Sequence, residues 1–320
     1  MGAFAPTRIR SRTMRLAAAA LLLATACTAT PPPSAGDFDA ELAASDWRES
    51  LVAWRARADK GLRADNGWLT LAGRFVMKPG ANTFGTGAAN DIVFPKGLGP
   101  ERMGTITVSP GEKRVTLKLE PGVAFRRGAV EFHETVLRTD VETRDWVARD
   151  RLAMHVIERE GRYVLRLADN ESEVRKGFRS RVWYDPDPAY RVRATFVPYP
   201  PGRKVTIINV LDEASDEPSP GYVEFELAGK KHRLDAVGDD EGLFFVLRDA
   251  TAGETTYRPG RFLYVAKKPE PGQPFELDLN RVYNPPCAFS EFTTCPLPPK
   301  QNILKARIDA GEKYPPDRAG

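Results

Sequence analysis

The sequence contains few of the residues that form metal centres. It has three Cys and three His among 320 residues, and the three His lie far apart, at His133, His155 and His232. Because metal-binding sequences place such ligands at short, regular spacings, we expect no metal site. The motifs of a serine nucleophile (G-x-S-x-G), a P-loop and a dinucleotide-binding turn (G-x-G-x-x-G) are absent as well. We therefore expect no cofactor, and no motif assigns a reaction.

Long apolar segments are also missing. A helix that spans a bilayer needs about 20 predominantly apolar residues, and the apolar run over Leu16–Leu23 is too short for that. Four Arg precede this run, and the small residues Ala24-Thr25-Ala26 follow it. A basic segment, a short apolar segment and a small-residue cleavage site together indicate a secretory signal over residues 1–26.

Cys27 directly follows these small residues and is similar to the modified cysteine in the lipobox of bacterial lipoproteins. The resemblance implies that the signal is removed before Cys27 and that Cys27 carries a lipid anchor, which makes a membrane the partner. Residues 27–36 are rich in Pro and small residues and predict a short lipidated tether. We expect a cell-envelope lipoprotein that faces the periplasm or the exterior. The alternative is a plain cleaved signal with an incidental cysteine.

Neither sign of charge is in excess once the signal is removed. The whole chain has 47 basic and 43 acidic residues, and the signal contains four Arg and no acid. The mature chain therefore has equal numbers of basic and acidic residues, 43 of each. A neutral surface of this kind gives no electrostatic basis for nucleic-acid binding, so we expect no nucleic-acid partner.

An apolar stripe predicts an amphipathic helix near the start of the mature chain, within residues 37–64. Its members recur three or four positions apart, at Trp47, Leu51, Trp54, Ala58 and Leu62. That spacing places them on one face of a helix, and Asp65-Asn66-Gly67 then supplies residues that suit a turn. We expect the stripe to pack on the domain that follows; the alternative is a face that lies against the membrane.

From residue 65 onward, short segments rich in β-forming residues alternate with turns that contain Pro and Gly. Tyr190–Phe196 and Tyr222–Leu227 alternate apolar and polar residues, which predicts strands with one solvent face. Asn302–Ala310 indicates a second helix, and a strand is the alternative there. The many short strands predict an all-β protein. We expect two packed β units, residues 65–145 and 146–320; one continuous β sandwich is the alternative.

Residues 82–95 are similar to the opening strands of a forkhead-associated domain, a β sandwich that binds phosphothreonine. In that family the ligand loops use a Gly-Arg pair, a Ser and a His. Here Thr86 follows Gly85, and the loop Pro100–Gly104 has no His. The resemblance therefore implies strands and turns over this segment and does not imply phosphopeptide binding.

Three blocks near the C-terminus resemble another family more specifically. They are Arg248–Arg261, Leu277–Ser290 and Thr294–Asn302, and Ile308–Lys313 follows the third. Together with Gly67-Trp-Leu-Thr-Leu, they are similar to a bacterial and archaeal family, domain of unknown function 1684, over most of the mature chain (45–315). This resemblance implies no activity, cofactor or catalytic residue.

The same blocks concentrate polar residues among Gly and Pro, in the kind of loop that often carries function. The candidate ligand-binding residues are Asp249, Tyr257, Arg261, Asp278, Asn280, Tyr283, Asn284, Asn302 and Glu312. Arg261 has two interpretations, a clamp for a ligand carboxylate or an ion pair with Asp249 or Asp278. Asn280 and Asn284 likewise suit either a ligand or the bracing of irregular backbone.

Five prolines between residues 278 and 302 exclude regular strand pairing there, so we predict an ordered, irregular loop. With Cys27 acylated, Cys287 and Cys295 remain as a pair, and we expect a disulfide in an oxidising compartment. A metal site or a reactive thiol pair is the alternative. The loop is expected to wall a polar pocket with Arg261, Asp278, Asn280 and Asn302. The alternative is that the disulfide forms and the pocket does not.

Two functions remain open on these observations. The first is a binding or accessory module that holds a small polar ligand. The second is a hydrolase-like enzyme in which Asp249, Asp278 or Glu312 acts as acid or base. Two carboxylates that face each other across a cleft would favour the enzyme, and carboxylates paired with Arg or backbone would favour the module. Near Trp183, a basic run suits either anion binding or a solvated face: Arg175, Arg179, Arg181, Arg191 and Arg193.

Overall fold

The computed structural model describes residues 47–143, 145–159, 161–238 and 242–314, all within one compact unit. The predicted signal, Cys27 and the tether lie outside the described residues, as does the first part of the predicted helix segment, 37–46. They therefore stay predictions. Among the helices that the structure describes, none is long and apolar enough to cross a membrane.

Helix α1 spans Trp47–Leu62, within the predicted segment. Leu51, Trp54 and Leu62 are buried, so the apolar stripe packs on the domain that follows it. After the helix the chain turns through Asn66, whose φ of 59° lies in the left-handed region that Asn tolerates. The Asn66 N–H donates to the side-chain oxygen of Asn170 over 2.7 Å, which fixes this turn against the sheet.

The first eleven strands are short, between two and eight residues long. Their bounds are β1 Leu71–Val76, β2 Gly80–Gly85, β3 Ile92–Val93, β4 Gly104–Ser109, β5 Arg114–Leu119, β6 Phe125–Arg127, β7 Val130–Phe132, β8 Glu134–Leu137, β9 Val147–Arg149, β10 Leu152–Arg159 and β11 Arg162–Asp169. They form a six-stranded sheet, β1-β11-β10-β9-β6-β7, and a five-stranded sheet, β3-β2-β4-β5-β8.

The two sheets share one hydrophobic core, which includes Phe84, Ile106 and Leu165. The six-stranded sheet runs across residue 145, because β9 pairs with β6 and β11 pairs with β1. The division predicted between residues 145 and 146 therefore does not coincide with a division of this core, which includes residues up to Leu167.

The second half of the chain begins with a short helix, α2 Glu173–Gly177, which the sequence did not predict. The Ser172 hydroxyl oxygen caps it by accepting from the Arg175 N–H over 3.2 Å. Eight strands follow: β12 Arg191–Pro198, β13 Lys204–Ile208, β14 Ala214–Pro218, β15 Gly221–Leu227, β16 Lys230–Asp235, β17 Leu243–Leu247, β18 Arg261–Val265 and β19 Pro274–Asp278. They form the sheet β16-β15-β12-β19 and two hairpins, β13-β14 and β17-β18.

A second core lies between this four-stranded sheet and the β17-β18 hairpin, and includes Val223, Phe245 and Leu263. After Asp278 the described chain has no further strand, as predicted for the proline-rich loop. Its regular pieces are three 3-10 turns: Leu279–Arg281, Pro286–Ala288 and Lys300–Asn302. Leu304 and Ile308 join the second core from irregular backbone, so the suggested helix or strand over 302–310 was wrong. The predicted all-β fold with packed sheets and a helix near the N-terminus is confirmed.

Candidate functional site

Arg261 and Asp249, two of the candidate residues, form a buried ion pair. Strands β17 and β18 are antiparallel with Leu247 opposite Arg261, so Asp249, two residues beyond Leu247, comes next to Arg261. Arg261 Nη2 donates to Asp249 Oδ1 over 3.0 Å. Further N–H groups of Arg261 donate to the carbonyl oxygens of Ile308 and Ala310, over 3.0 and 2.6 Å. Arg261 thus ties the irregular C-terminal segment to the sheet. Its positive charge is balanced by Asp249 within the chain.

The second oxygen of Asp249 organises the loop that follows it. Oδ2 accepts from the N–H and the hydroxyl of Thr251, over 3.2 and 2.8 Å, in the Asx-turn pattern. The same oxygen accepts from the Ile308 N–H over 2.8 Å. Both oxygens of this buried carboxylate are therefore occupied by partners within the chain.

Glu312 is fully buried and holds the guanidinium of Arg181. Arg181 Nη1 donates to Glu312 Oε2 over 2.6 Å, and the Asn284 N–H donates to the same oxygen over 2.8 Å. The Asn284 side chain in turn donates to the Lys313 carbonyl over 2.9 Å. Burial raises the pKa of Glu312 above its ordinary value, although Arg181 opposes the rise. Glu312 and Asn284 thus position Arg181.

Asp278 and Asn280 brace the end of strand β19. Asp278 Oδ1 accepts from the backbone N–H and the side-chain amide of Asn280, over 3.0 and 2.9 Å. Its Oδ2 accepts from Trp47 Nε1 over 2.8 Å and lies 3.5 Å from Arg281 Nε. The Asn280 amide also exchanges two hydrogen bonds with the backbone of Asp187. Asp278 therefore joins helix α1 to β19, while Asn280 is used in backbone support.

The remaining predicted polar contacts are also internal. Asn302 bridges β16 and β17, because its amide donates to the carbonyls of Asp235 and Val246 over 2.8 and 2.9 Å. Tyr257 donates to the Cys287 carbonyl over 3.1 Å. Cys287 and Cys295 form the expected disulfide, with their Cα atoms 6.1 Å apart. These residues fix the loop and the hairpin to each other.

A cavity of about 1040 Å³ lies between helix α1 and strands β17, β18 and β19; we call it the helix–sheet cavity. One wall comes from α1 and the turn after it, and the opposite wall from β17 to β19 with the connection 266–273. Most of the lining is apolar, and it includes seven aromatic residues: Trp54, Trp68, Phe244, Phe262, Tyr264, Phe275 and Tyr283.

Of the nine candidate residues, Asp278 and Tyr283 line the helix–sheet cavity, and Arg261, Asn280 and Asn302 do not. Six of the other lining residues are aromatic, and none of these six was a ligand-binding candidate. The sequence of β18 could have indicated two of them, Phe262 and Tyr264. Its apolar residues are continuous and do not alternate with polar ones as in a strand with one solvent face. Such a run indicates that both strand faces are covered. Here one face, at Leu263, packs in the second core, and the other presents its side chains to the cavity.

Aromatic rings and cations meet at one end of the cavity. The ring centroids of Trp54 and Tyr283 are 6.2 Å apart in an edge arrangement. Arg281 lies 5.6 Å from the Trp54 ring centroid. Burial raises the pKa of Tyr283 to about 12, so its hydroxyl stays protonated and can donate a hydrogen bond at neutral pH. Arg55 follows Trp54 on helix α1 and lies 4.8 Å from the ring centroid of Trp183. Burial lowers the pKa of Arg55 to about 10.

The basic run near Trp183 separates in the structure. Arg181 lines the helix–sheet cavity, and Arg191 lines a smaller cavity with Glu276, to which it donates two hydrogen bonds. Arg175 pairs with Asp65 and two backbone carbonyls. Across the described ranges, no group of three or more His, Cys, Asp or Glu side chains could hold a metal ion.

Comparisons with known proteins concern mainly the part of the chain that contains these residues. Residues 176–313 match the family model described as Protein of unknown function (DUF1684). A solution NMR structure of an uncharacterized protein from Haloarcula marismortui is 31% identical, covers 43% of this chain and 78% of that chain, and has a TM-score of 0.37. A comparison with curated proteins found no match.

All nine candidate residues and the disulfide fall inside the matched segment, whereas helix α1 and the first sheets lie before it. The lipobox and the forkhead-associated resemblance have no counterpart among these matches and stay predictions. The predicted relationship is confirmed over the C-terminal part of the chain: residues 176–313 belong to the DUF1684 family of proteins of unknown function.

Proposed function

We propose that this protein is a binding module that holds a small ligand in the helix–sheet cavity. The observation that carries the proposal is the cavity itself. Its volume of about 1040 Å³ and its aromatic lining match the upper end of small-molecule sites, which are concave and mostly apolar. A few polar groups, among them Arg181 and Asp278, converge on it.

This lining favours a different ligand from the small polar one that the sequence suggested. Most of the polar residues selected from the sequence form hydrogen bonds within the chain. Arg261 donates to Asp249, and the Asn280 amide donates to the Asp187 carbonyl. The surface left to a ligand is mostly apolar and includes seven aromatic rings. A ligand with a largely apolar body therefore fits the cavity better.

The pairing of the carboxylates favours a binding module over a hydrolase. Asp249 is paired with Arg261, Glu312 with Arg181, and Asp278 accepts from Trp47 and Asn280. A general acid or base needs to reach the atom from which it takes, or to which it gives, a proton. The partners of Asp249 already occupy both of its oxygens, so a substrate would have to displace them.

The proposed place of action is the cell envelope. The pattern of residues 1–26 supports export, and acylation of Cys27 would tether the module to a membrane through residues 27–36. A lipid anchor would keep the cavity near the bilayer, where molecules with apolar bodies are concentrated.

Titration with the neutral apolar fluorophore Nile red tests the proposal. The protein is the full chain with Cys27→Ser, so that no acyl group of its own competes for the cavity. We expect a saturable rise in fluorescence with one binding site. Ala58→Trp, which fills the cavity from α1, should strongly weaken the binding. Ala56→Trp, which adds the same side chain on an exposed position of the same helix, should not. Absence of saturable binding, or equal effects of the two variants, would contradict the proposal.

A further inference from the structure

We infer that the helix–sheet cavity binds an amphiphilic acid, a molecule with an apolar body and one carboxylate, and that Arg181 donates to this carboxylate. The inference rests on the proposed function, because it names the class of ligand for the same cavity. Two observations support it. Arg181 is buried beside the cavity with N–H groups that donate to no described residue, and Asp278 and Glu276 in the wall are already paired.

Arg181 is a buried cation with donors to spare. Its side chain is only 9% exposed, yet it lines the cavity. Nη1 donates to Glu312, and neither Nε nor Nη2 donates to any residue that the structure describes. A buried guanidinium group normally has its N–H groups hydrogen-bonded. A carboxylate that enters the cavity supplies an acceptor for Nη2 in the planar geometry that Arg favours.

Asp278, Glu276 and Arg281, three other charged groups of the wall, already have partners, whereas Lys267 and Glu270 are exposed to solvent. Asp278 accepts from Trp47 and Asn280 and pairs with Arg281. Glu276 accepts two hydrogen bonds from Arg191. Asp278 and Glu276 therefore offer little attraction to a cationic ligand, and solvent screens the exposed Glu270. Among the buried charged groups of this wall, the unused hydrogen-bonding capacity is that of the Arg181 donors, which selects an anion.

The body of the ligand follows from the neighbours of Arg181. Its guanidinium carbon lies 4.8 Å from the ring centroid of Phe289 and 6.0 Å from that of Trp183. Trp54 packs between Trp183 and Tyr283, at 5.4 and 6.2 Å between ring centroids. A ligand whose carboxylate reaches Arg181 therefore lays its apolar part along Trp54 and Tyr283. Binding of this kind is non-covalent, and its affinity combines buried apolar area with one charge-assisted contact.

A comparison of head groups on the same alkyl chain tests the inference with the unaltered cavity. Decanoate, decanol and decyltrimethylammonium compete with Nile red on the full chain with Cys27→Ser, at a pH where decanoate is ionised. We expect decanoate to bind about tenfold or more tightly than decanol, the effect of one charge-assisted hydrogen bond, and the cation to bind worst. Equal binding of decanoate and decanol would overturn the inference and leave the proposed function standing. Failure of Nile red and all three competitors to bind would overturn both.

A paired substitution tests the role of Arg181. Arg181→Gln combined with Glu312→Gln removes both charges together, so that no buried charge is left alone. We expect the preference for decanoate over decanol to disappear while Nile red still binds. The matched control is Arg162→Gln with Glu213→Gln, an exposed pair that is also 2.6 Å apart and should keep the preference. A preference retained by the Arg181 variant would contradict the assignment. If that variant does not fold, the head-group comparison still decides the matter.

Discussion

The guanidinium of Arg261 lies 3.0 Å from a carboxylate oxygen of Asp249, and both side chains are at most 2% exposed. The pair joins strand β18 to the loop after β17. Through the carbonyls of Ile308 and Ala310, it also holds the irregular C-terminal segment. A segment without strand partners needs such contacts, because its buried backbone groups must find hydrogen bonds elsewhere. This ion pair is therefore a structural element of the family segment.

Asp249→Ala should destabilise the protein strongly. The substitution leaves the Arg261 charge buried without its partner and removes the acceptor of the Thr251 and Ile308 N–H groups. Breaking a buried ion pair costs about 3–5 kcal/mol, and we expect a loss in that range. The measurement is the unfolding free energy from urea denaturation. The control is Glu276→Ala, which breaks an exposed pair with Arg191 and should cost less than about 1 kcal/mol. Similar losses for the two variants would contradict the prediction.

Glu312→Gln should change how stability depends on pH. Burial raises the pKa of Glu312 above 4.5, so the folded state binds this proton more tightly than the unfolded state does. Its contribution to stability is then complete below the unfolded pKa and falls as pH rises through the folded pKa. The unfolding free energy of the wild type minus that of the variant should therefore decrease from about pH 4 towards about pH 8.

Urea denaturation of both proteins across this range measures the difference. Glu49→Gln, which removes an exposed carboxylate from helix α1, is the control and should show a smaller pH dependence. A difference between wild type and Glu312→Gln that grows with pH would show that the sign is wrong.

Replacing both Cys287 and Cys295 with Ser should lower the unfolding free energy by about 2–3 kcal/mol. The two cysteines are 8 positions apart, and in the chain-entropy description the disulfide stabilises the fold by restricting the unfolded loop. Thermal unfolding with and without dithiothreitol provides the measurement. The reductant should bring the wild type to the level of the double variant and leave that variant unchanged. Equal stability of the oxidised wild type and the double variant would contradict the prediction.

The predicted lipid anchor and membrane localisation can be tested at the N-terminus of the mature chain. We predict that mass spectrometry of the mature chain finds Cys27 as the first residue and finds it acylated. Cys27→Ser should remove the acyl group and shift the protein out of the membrane fraction. The double Cys287→Ser, Cys295→Ser variant keeps Cys27 and should stay in that fraction. An unmodified Cys27, or a mature chain that retains residues 16–26, would refute the lipoprotein prediction.

Local patterns account for the parts of the fold that were predictable. Strand β15 alternates buried and exposed residues along Tyr222–Leu227, as its period of two indicates. Helix α1 buries Leu51, Trp54 and Leu62 at helical spacing. Such patterns are readable in one sequence because each is set by the geometry of a single element.

Segments that depend on distant partners were not predictable in the same way. Residues 302–310 have apolar residues that suggested a helix or a strand. In the structure, Asn302 and Leu304 instead form backbone hydrogen bonds with Arg248, and the Ile308 carbonyl accepts from Arg261. Because these contacts satisfy the backbone, no regular element forms there. No local sequence pattern indicates that the backbone of these residues will form its hydrogen bonds with distant partners.

The sequence alone determined the all-β class, the N-terminal helix, the cysteine pair and the concentration of polar residues in the C-terminal blocks. Only the tertiary structure decided what those polar residues do. It turned Arg261 and Asp249 towards each other, and it placed Arg181 between Glu312 and a cavity walled by α1 and β18. The reason is physical: residue type and spacing set the local element, whereas the partner of a buried charge and the walls of a cavity depend on which elements pack together.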